Sequence, residues 1–476
     1  MYSTCTSCIR LKTGVTNSFP VRVGVRQGDN LSPSLFKIFI NDLPTYLQST
    51  PDPIKLDEKD VHCLMFADDI VLFSKSEVGL QEKLNKLHEY CKDWCLTVNT
   101  SKTKIMIFNK AGKLITRKFM FDNKPLECVK SYKYLGIHFS VSGSFALAQS
   151  ELYNKALRAL FKLKKDFLSF HPSVKSSLHV FDHTIKPILL YCSEIWGPIN
   201  QLSTRIKRYA CITLDEIFSK LLCNKLHLKF CKSILGVHQK SSNFAVLSEL
   251  GRHPLHYDIL KQSFVYFHRL NSLGSSFPLL KAAFNSSYSN YLANKPSWYG
   301  SVTFLKSKVS GMNNASSKSL NSFTQSCKQI LKKQFLQSWE SMRSNQDGKL
   351  CTYITFKTNF GFEKYLQTLH NFDQRRRVTK FRLSAHKLLI ETGRYKGIPR
   401  NERICDKCML GEVEDECHFL FKCHKFSLQR IQLMDIICKS CPNFITLNST
   451  NQLIWALSCE HVDVLLAISE FIKLCE

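Results

Sequence analysis

Residues 61–74 constrain this chain most, because two short apolar runs there flank the adjacent acids Asp68 and Asp69. The runs, 63–67 and 70–73, are rich in β-branched and aromatic residues, so each is predicted to be a buried strand. The acids fall where the chain should turn, which predicts a hairpin with two carboxylates at its tip. Because aspartate tolerates turn geometry, a plain surface turn is one interpretation. The other is a site for a hard divalent cation, which prefers carboxylate oxygens.

The charge balance narrows the class of partner. The 476 residues include 66 Lys and Arg against 38 Asp and Glu, a formal net charge of +28. An excess of this size favours a polyanionic partner, and nucleic acid fits best because phosphates attract Lys and Arg irrespective of sequence. An anionic membrane surface or a merely basic surface remain alternatives, although no basic amphipathic helix or lipidation motif is present.

Composition indicates a folded protein of several domains. The chain is 44% apolar and 22% charged, which is typical of globular proteins and not of disordered ones. No apolar run approaches the length of a membrane-spanning helix, and the N-terminus lacks a signal-peptide profile. We therefore expect an intracellular protein, nuclear or cytoplasmic, that has no membrane partner. Most of the 20 cysteines are expected to be reduced core residues.

The segments around the hairpin favour mixed helix and strand before residue 145 and mainly helix after it. Ser32 followed by Pro33 is a strong helix-start signal. The helix that follows is predicted to bury one face, and Pro44 to end or kink it. The residues of that face are Leu35, Phe36, Phe39 and Leu43.

Three later segments need a structure to interpret them. In the helix predicted over 152–168, the basic residues form either a solvated face or a phosphate-facing one. The range 286–326 is heavy in Ser and Asn and is predicted to be a loop or linker. The range 371–400 carries nine Lys or Arg against two acids and leads into a cysteine cluster.

That cluster has the ligand inventory of a structural zinc site. Two residues separate Cys405 from Cys408, nine separate Cys408 from His418, and four separate His418 from Cys423. Because Cys417 and His424 lie beside these residues, the last two ligands could shift by one position. The competing interpretation is a coincidence in a cysteine-rich chain.

Taken together, these segments resemble the reverse transcriptase of non-LTR (LINE-like) retrotransposons. The resemblance is strongest over about residues 10–140, and it continues more loosely into the helical part. Four blocks carry it, in the family's order and at similar spacing: Gly24–Gly28 through Leu31-Ser32-Pro33 and Phe36, Phe66–Asp69, Asn99–Lys104 and Tyr132–Gly136. The cluster at 405–423 is similar to the cysteine–histidine zinc motif that some of these elements carry near the C-terminus.

The resemblance implies an α+β fold in which a right-hand polymerase palm is followed by a helical thumb. It divides the chain into a partial palm at 1–145, a thumb at 146–240, a mainly helical basic region at 241–400, a zinc-knuckle-like motif at 401–430 and C-terminal helices at 431–476. The implied activity is RNA-directed DNA polymerisation with Mg2+ on an RNA template and a DNA primer.

The same resemblance assigns roles to individual residues. Asp68 would be a catalytic Mg2+ ligand, Asp69 its supporting neighbour, and Lys102 a group near the departing pyrophosphate. The remaining residues would contact substrate: Arg26, Gln27 and Gly28 near the template and incoming nucleotide, and Tyr134, Leu135 and Gly136 near the primer.

One departure from the family matters. The family places a further metal-binding Asp upstream of the Gln-Gly block, whereas the first acid of this chain is Asp29. Since one carboxylate pair cannot furnish a two-metal clamp, the chain is predicted to be a truncated or wrongly started copy that lacks the fingers and the first catalytic Asp strand, and to be inactive on its own. The alternatives are a non-catalytic nucleic-acid-binding protein that binds phosphates with its basic helices, the 371–400 block and a zinc knuckle, and a decaying genomic copy without a role.

Overall fold

The computed structural model describes residues 5–21, 24–26, 28–170, 172–202, 212–274, 276–313, 319–344 and 350–475. The chain divides into two compact units. Unit 1 comprises residues 1–144 and 273–289, and unit 2 comprises residues 145–272 and 290–476. The further predicted boundaries at 240, 400 and 430 stay predictions.

Unit 1 contains all the named strands, and they pair into six small sheets. Five sheets are antiparallel pairs, β1–β4, β2–β3, β5–β6, β7–β8 and β12–β13, and the sixth has the order β10-β11-β9 with β11 and β9 parallel. The strands are β1 Thr6–Ser7, β2 Arg10–Leu11, β3 Gly14–Val15, β4 Phe19–Pro20, β5 Ile54–Leu56, β6 Lys59–Val61, β7 Cys63–Phe66, β8 Asp69–Leu72, β9 Lys104–Ile105, β10 Phe119–Phe121, β11 Lys124–Cys128, β12 Ser131–Tyr134 and β13 Ile137–Ser140.

One hydrophobic core holds unit 1 together. Its long helix, α3 (Glu77–Asp93), begins at Ser76, whose hydroxyl accepts a hydrogen bond from the Gly79 amide. The apolar face of α3 packs on the short helix α2 (Leu43–Leu47) and on β9 to β11. The core residues are Leu43, Leu47, Leu84, Leu87, Tyr90, Cys91, Ile105, Phe119, Phe121, Leu126 and Cys128.

The predicted burial of the helix after Ser32 is wrong for most of its face. Helix α1 (Ser32–Phe39) ends five residues before Pro44, and Pro44 lies in the first turn of α2. Leu35 is 38% exposed and Phe39 is 40% exposed, whereas Leu43 is fully buried. Sequence spacing placed these side chains on one helical face, but the chain breaks between them, so α2 alone reaches the core.

Unit 2 is helical, and no strand is named among its described residues. Helix α12 (Pro278–Leu292) begins in unit 1 and ends in unit 2. The helices of unit 2 are α4 Ala146–Phe170, α5 Val174–Val180, α6 Lys186–Leu189, α7 Ser193–Leu202, α8 Leu214–Ile217, α9 Leu222–Leu235, α10 Asn243–Glu249, α11 His256–Asn271, α13 Trp298–Ser307, α14 Leu320–Ser344, α15 Cys351–Phe356, α16 Tyr365–Thr368, α17 Phe372–Arg382, α18 Leu389–Tyr395, α19 Ser427–Ser440, α20 Ser449–Ser458 and α21 Val462–Cys475.

The predicted linker at 286–326 is wrong for most of its length, because α12, α13 and the start of α14 occupy it. Serine is tolerated in these helices because its hydroxyl can donate to the carbonyl one turn back, as Ser301 does to Ser297 at 2.9 Å. The buried residues of α14 recur every fourth position: Phe323, Cys327, Leu331, Phe335 and Trp339. Composition suggested a loop, but the apolar period is that of a buried helix.

The basic block at 371–400 is largely structural. Arg375 is buried and donates to the Leu369 and His370 carbonyls at 2.8 and 3.2 Å. Arg382 is 3% exposed and forms ion pairs with Glu249 and Glu363 at 3.0 and 2.6 Å. The interpretation of this block as a phosphate-binding surface is therefore wrong for these two arginines, whose guanidinium groups face the interior.

Among the described helices, none alone has the length and apolar character needed to cross a membrane. Helices α20 and α21 have that length and apolar character only when they are taken together, and the pair is bent by 109° at the junction.

Candidate active site and metal centre

The two acids lie at the tip of a hairpin, as predicted. Strands β7 and β8 pair in the register Cys63↔Leu72 to Phe66↔Asp69, which leaves Ala67 and Asp68 as the two turn residues. Ala67 has a φ of 52°, in the left-handed region where two-residue turns usually carry glycine. Asp68 therefore projects from a tight turn, and Asp69 is the first residue of the returning strand.

The hairpin has one covered face and one open face. Cys63, Met65 and Ile70 pack against the core of unit 1. Leu64 and Phe66, on the other face, are 38% and 62% exposed. The prediction that both strands are buried is therefore wrong for this face. Asp69 pairs with Phe66 and shares the open face.

The structure brings Asp69 close to the predicted primer-contacting segment. Tyr134, at the end of β12, has a pKa that burial raises and that the negative charge of Asp69 raises further. On the same strand, the Tyr132 hydroxyl donates to the Lys102 carbonyl at 3.2 Å. Strand β12 thus links the carboxylate hairpin to the turn that carries Lys102.

The side chain of Asn99 shapes that turn. Its carboxamide oxygen accepts hydrogen bonds from the Lys102 amide at 3.2 Å and from the Ser101 hydroxyl at 2.7 Å. Such a turn, closed by its own Asn side chain, fixes the backbone on each side of Lys102. The Lys102 side chain is exposed and available to an anion.

The turn between β12 and β13 has unusual backbone geometry. Leu135 and Gly136 are its two central residues, with φ values of 45° and 83°. A turn with positive φ at both positions favours Asn-Gly, because a leucine Cβ is strained there. Leu135 is nevertheless 40% exposed, so burial gives only part of the compensation.

The predicted template-binding residues are only partly covered. Gln27 lies outside the described residues. Arg26 is exposed, and its carbonyl accepts a hydrogen bond from the Ser32 hydroxyl at the start of α1. Gly28 has a φ of 88°, with open space where a Cβ would stand, so a ligand could approach its backbone closely.

Three of the acids that precede the hairpin in unit 1 have other partners. Asp42 accepts a hydrogen bond from the Tyr90 hydroxyl at 2.5 Å, Asp52 accepts one from Ser76, and Asp57 accepts one from Asn285 at 3.0 Å. A shared metal ion needs several Cys, His, Asp or Glu side chains close together. Within the described ranges, the group of three or more such side chains lies in unit 2 and not at the hairpin. The hairpin by itself offers two carboxylates, which suit one cation and do not make a two-metal clamp.

The set in unit 2 comprises the four side chains singled out from the sequence. The ligand atoms of Cys405, Cys408, His418 and Cys423 all lie within 4.8 Å of one another. The Sγ atoms of Cys405 and Cys423 are 3.9 Å apart, and Cys408 Sγ is 3.4 Å from His418 Nε2. These four residues could hold a metal ion.

The two neighbours considered as alternative ligands point elsewhere. Cys417 donates its thiol hydrogen to the Ser449 carbonyl at 3.4 Å, and burial raises the pKa of this thiol to about 11. His424 contributes its backbone amide, which donates to Cys408. The backbone around His418 is a short π-helical turn, His418–Lys422, whose pitch the sequence pattern did not reveal.

Sequence reasoning missed two residues that organise this cluster. Glu412 accepts a hydrogen bond from His418 Nδ1 at 3.1 Å, which leaves Nε2 facing the thiols. Arg430 is buried and donates to the Leu420 and Cys423 carbonyls at 2.7 and 2.8 Å. A carboxylate six residues before the histidine was visible in the sequence, but its direction was not.

The cluster is also continuous with the core of unit 2. Phe419 contacts Phe381 of α17, Phe426 and Phe471 of α21, with ring centroids 5.3 to 5.7 Å apart. The guanidinium of Arg430 lies over the Phe471 ring at 5.9 Å. The segment that carries the four ligands is therefore packed among the C-terminal helices and is not a separate knuckle on a tether.

Comparison with known families identifies the N-terminal segment. Residues 1–139 match the family described as reverse transcriptase (RNA-dependent DNA polymerase). This range contains the carboxylate hairpin, the Asn99 turn and the strand pair β12–β13.

The chain is similar to proteins of several retrotransposons. It is 27% identical over 189 residues to the RNA-directed DNA polymerase from mobile element jockey of Drosophila melanogaster, covering 37% of this chain and 20% of the relative. It is 30% identical over 206 residues to the probable RNA-directed DNA polymerase from transposon BS of the same species, covering 40% and 22%. It is 32% identical over 211 residues to a Pol polyprotein from type-1 retrotransposable element R2 of Popillia japonica, covering 43% and 34%.

The matched parts thus span between about a fifth and a third of the length of these relatives. The domain match, the four motif blocks and the relatives agree on one family. Residues 1–139 form a reverse transcriptase domain of the kind found in non-LTR retrotransposons.

Proposed function

We propose that this chain is a part of an RNA-directed DNA polymerase, in which Asp68 is a Mg2+ ligand and Asp69 is its supporting neighbour. The observation that carries the proposal is the neighbourhood of Asp69, Tyr134 and the Lys102 turn within the matched domain. Under this proposal, unit 1 contributes a polymerase palm, and the first helices of unit 2 contribute the thumb.

The side chains have separable roles. When bound, Mg2+ would offset negative charge on the phosphates and lower the pKa of the attacking hydroxyl. The Lys102 ammonium would bind the departing pyrophosphate, and the Leu135–Gly136 turn would position the primer strand. Arg26, Gln27 and Gly28 would contact the template and the incoming nucleotide, where the open space at Gly28 permits close approach.

We also propose that the chain by itself does not complete the reaction. Two carboxylates on adjacent residues suit one cation, whereas the in-line displacement at a nucleotide uses two metal ions. A further carboxylate would have to join Asp68 and Asp69.

Primer extension tests both statements. With Mg2+, an RNA template and a labelled DNA primer, the wild-type chain should extend the primer no more than Asp68→Asn does. Robust extension that Asp68→Asn abolishes would refute the incomplete site and support the role of Asp68. Robust extension that survives Asp68→Asn would refute the assignment of Asp68 itself.

A second proposal concerns the Cys/His cluster, which we assign to a structural zinc ion. Ligands at tetrahedral corners around zinc, at about 2.3 Å for sulfur and about 2.0 Å for nitrogen, would be about 3.8 Å apart for two sulfurs and about 3.5 Å apart for sulfur and nitrogen. The observed separations of 3.9 and 3.4 Å support this assignment.

Metal content tests the zinc proposal. The purified chain should retain one zinc after desalting, and Cys423→Ser should lose it while Cys438→Ser keeps it. A chain that retains no zinc when purified with zinc in the buffer would contradict the proposal. So would a Cys423→Ser variant that holds zinc as tightly as the wild type.

A further inference from the structure

Two helices of unit 2 that pack together, α4 and α9, carry far more cations than acids. Helix α9 contains no Asp or Glu, and α4 contains only Glu151 and Asp166. The cations of the two helices are Lys155, Arg158, Lys162, Lys164, Lys165, Lys225, Lys229 and Lys232. For the basic residues of α4, the sequence left open whether they form a solvated face or bind phosphate. Lys232 of α9 is buried and donates to the Gln239 carbonyl at 2.6 Å, so it belongs to neither.

An exposed aromatic ring stands among these cations. Phe161 of α4 is 56% exposed, although it lies on a long helix with a well-buried opposite face. The Nζ atom of Lys229, on α9, is 5.5 Å from the centroid of the Phe161 ring. Phe161 therefore adds an accessible ring face to a basic surface, beside an ammonium group within cation–π distance.

The ammonium groups on this surface repel each other. Burial lowers the pKa of Lys164, and the positive charge of Lys229 lowers it further. The charge acting on Lys164 among the described residues is thus that of a second lysine, without a balancing carboxylate. An arrangement of this kind costs free energy in the unliganded protein and is relieved by an anionic ligand.

The combination of flat ring and paired ammonium groups selects one kind of polyanion. Duplex nucleic acid offers phosphates, but its bases are stacked inside and give an aromatic side chain nothing to stack on. An unpaired strand offers both, because each base has a free face and each nucleotide a phosphate. An acidic peptide would satisfy the lysines and would leave the ring unused.

We propose that Phe161, Lys164 and Lys229 form a binding surface for single-stranded RNA. A base stacks on the Phe161 ring, and Lys164 and Lys229 bind the flanking phosphates. The choice of RNA rests on the proposed function, since the template is the strand that remains unpaired ahead of synthesis. The surface lies outside the segment matched to the reverse transcriptase family.

Fluorescence anisotropy with the full chain tests this surface. The probes are an end-labelled oligouridylate, an oligothymidylate of equal length and a blunt-ended RNA duplex without unpaired bases, each titrated over a range of salt concentrations. The variants are Phe161→Ala, Phe161→Tyr and Lys164→Gln/Lys229→Gln. The matched control is Lys155→Gln/Lys162→Gln, which removes the same charge from another face of α4. Melting curves confirm that each variant folds.

The phenylalanine and lysine variants should change RNA binding in different ways. Phe161→Ala should weaken oligouridylate binding by about tenfold or more with an unchanged salt dependence, and Phe161→Tyr should restore it. Lys164→Gln/Lys229→Gln should lower the slope of log affinity against log salt by about 1.4, since each phosphate contact on a single strand contributes about 0.7. The duplex affinity should be insensitive to Phe161→Ala.

Three results would overturn the proposal. They are oligouridylate affinity unchanged by Phe161→Ala, an equal loss for the duplex, and a loss confined to oligothymidylate. A loss in the Lys155→Gln/Lys162→Gln control as large as that in the Lys164→Gln/Lys229→Gln variant would show general charge attraction and contradict it too. Failure of this surface would leave Asp68 untouched, because the primer-extension and metal-binding readouts at the hairpin do not involve α4 or α9.

Discussion

The two candidate metal sites of this chain are built in opposite ways. In unit 2, four ligand atoms already lie within 4.8 Å of one another, and Glu412 and Arg430 hold the groups that carry them. In unit 1, Asp68 and Asp69 stand exposed at the tip of a hairpin, with one face open to solvent. The fold brings all four side chains of the first site together, whereas the second site presents two carboxylates that other ligands would have to complete.

This difference fits what each of the two proposed metals would require. A structural zinc ion is held by protein side chains alone, so the fold must place all four. A magnesium ion in a polymerase keeps waters and substrate phosphates in its coordination shell, so the protein supplies only a few carboxylates. An exposed pair of acids is therefore compatible with the proposed magnesium site, whereas a structural zinc site needs all four protein ligands close together.

Loss of a zinc ligand should have the largest effect on the fold. Cys405→Ser, or chelation of the wild type, should lower the melting temperature by about 10 °C or more, because structural zinc contributes several kcal/mol to folding. Differential scanning fluorimetry with and without chelator provides the measurement. Cys438→Ser, outside the cluster, should melt as the wild type does. A melting curve that ignores the chelator would contradict a structural role.

The arginines of the 371–400 block, which precedes the Cys/His cluster in the sequence, were interpreted from the sequence as phosphate-binding. Two of them allow a test of a structural role against an exposed one. Arg382→Met should destabilise unit 2 by about 3 to 5 kcal/mol, since it leaves Glu249 buried without its ion pair. Urea unfolding measures this loss. Arg376→Ala should cost about 1 kcal/mol or less, because Arg376 is exposed and donates one hydrogen bond to the Gly236 carbonyl. Equal losses in the two variants would refute the structural interpretation of Arg382.

The carboxylate behind His418 should matter for metal affinity more than for folding. Glu412→Gln should weaken zinc binding by about 10- to 100-fold, because the carboxylate fixes the orientation of the imidazole. Competition with a chromophoric chelator measures the affinity. Glu402→Gln, an exposed residue in the turn Arg400–Glu402, is the matched control and should bind zinc as the wild type does. An unchanged affinity in Glu412→Gln would mean that His418 needs no such partner.

The smallest expected effect lies in unit 1, at the turn after β12. Leu135→Asn should stabilise the chain by up to about 1 kcal/mol, because asparagine accepts the left-handed backbone that strains leucine. Gly136→Ala should destabilise it by about the same amount. Both are measured by urea unfolding. If Leu135→Asn is instead destabilising by more than about 1 kcal/mol, the contacts of Leu135 outweigh its backbone strain.

Local chemistry was readable from the sequence, and tertiary placement was not. The hairpin followed from two β-rich runs around a pair of turn-forming acids, and the grouping of the four Cys/His side chains followed from their spacing. The open face of β7 and β8 could not be foreseen, because an apolar run does not say how many of its faces are covered. The break after Phe39 had the same origin, since helical spacing on both sides of a break looks continuous.

Two errors came from composition used without periodicity. The Ser and Asn content suggested a linker at 286–326, whereas the recurrence of apolar residues at every fourth position, Phe323, Cys327 and Leu331, indicated a helix. The positive charge of 371–400 suggested a binding surface, although Arg375 and Arg382 bind carbonyls and buried carboxylates. Arg382 points inward because it pairs with Glu249, which lies more than a hundred residues earlier in the chain. No local sequence pattern contains that information.

The central claim is that the Asp68–Asp69 hairpin holds the metal of a reverse transcriptase domain. Iron-directed cleavage tests it without requiring activity. Fe2+ replaces Mg2+, added hydrogen peroxide is reduced at the bound iron to hydroxyl radical, which cuts the backbone nearby, and ascorbate returns the iron to Fe2+. We predict cuts at Ala67 to Asp69 and near Tyr134, where the charge of Asp69 acts, and their loss in Asp68→Asn. Cleavage that is absent from both segments, or a pattern that Asp68→Asn leaves unchanged, would contradict the account.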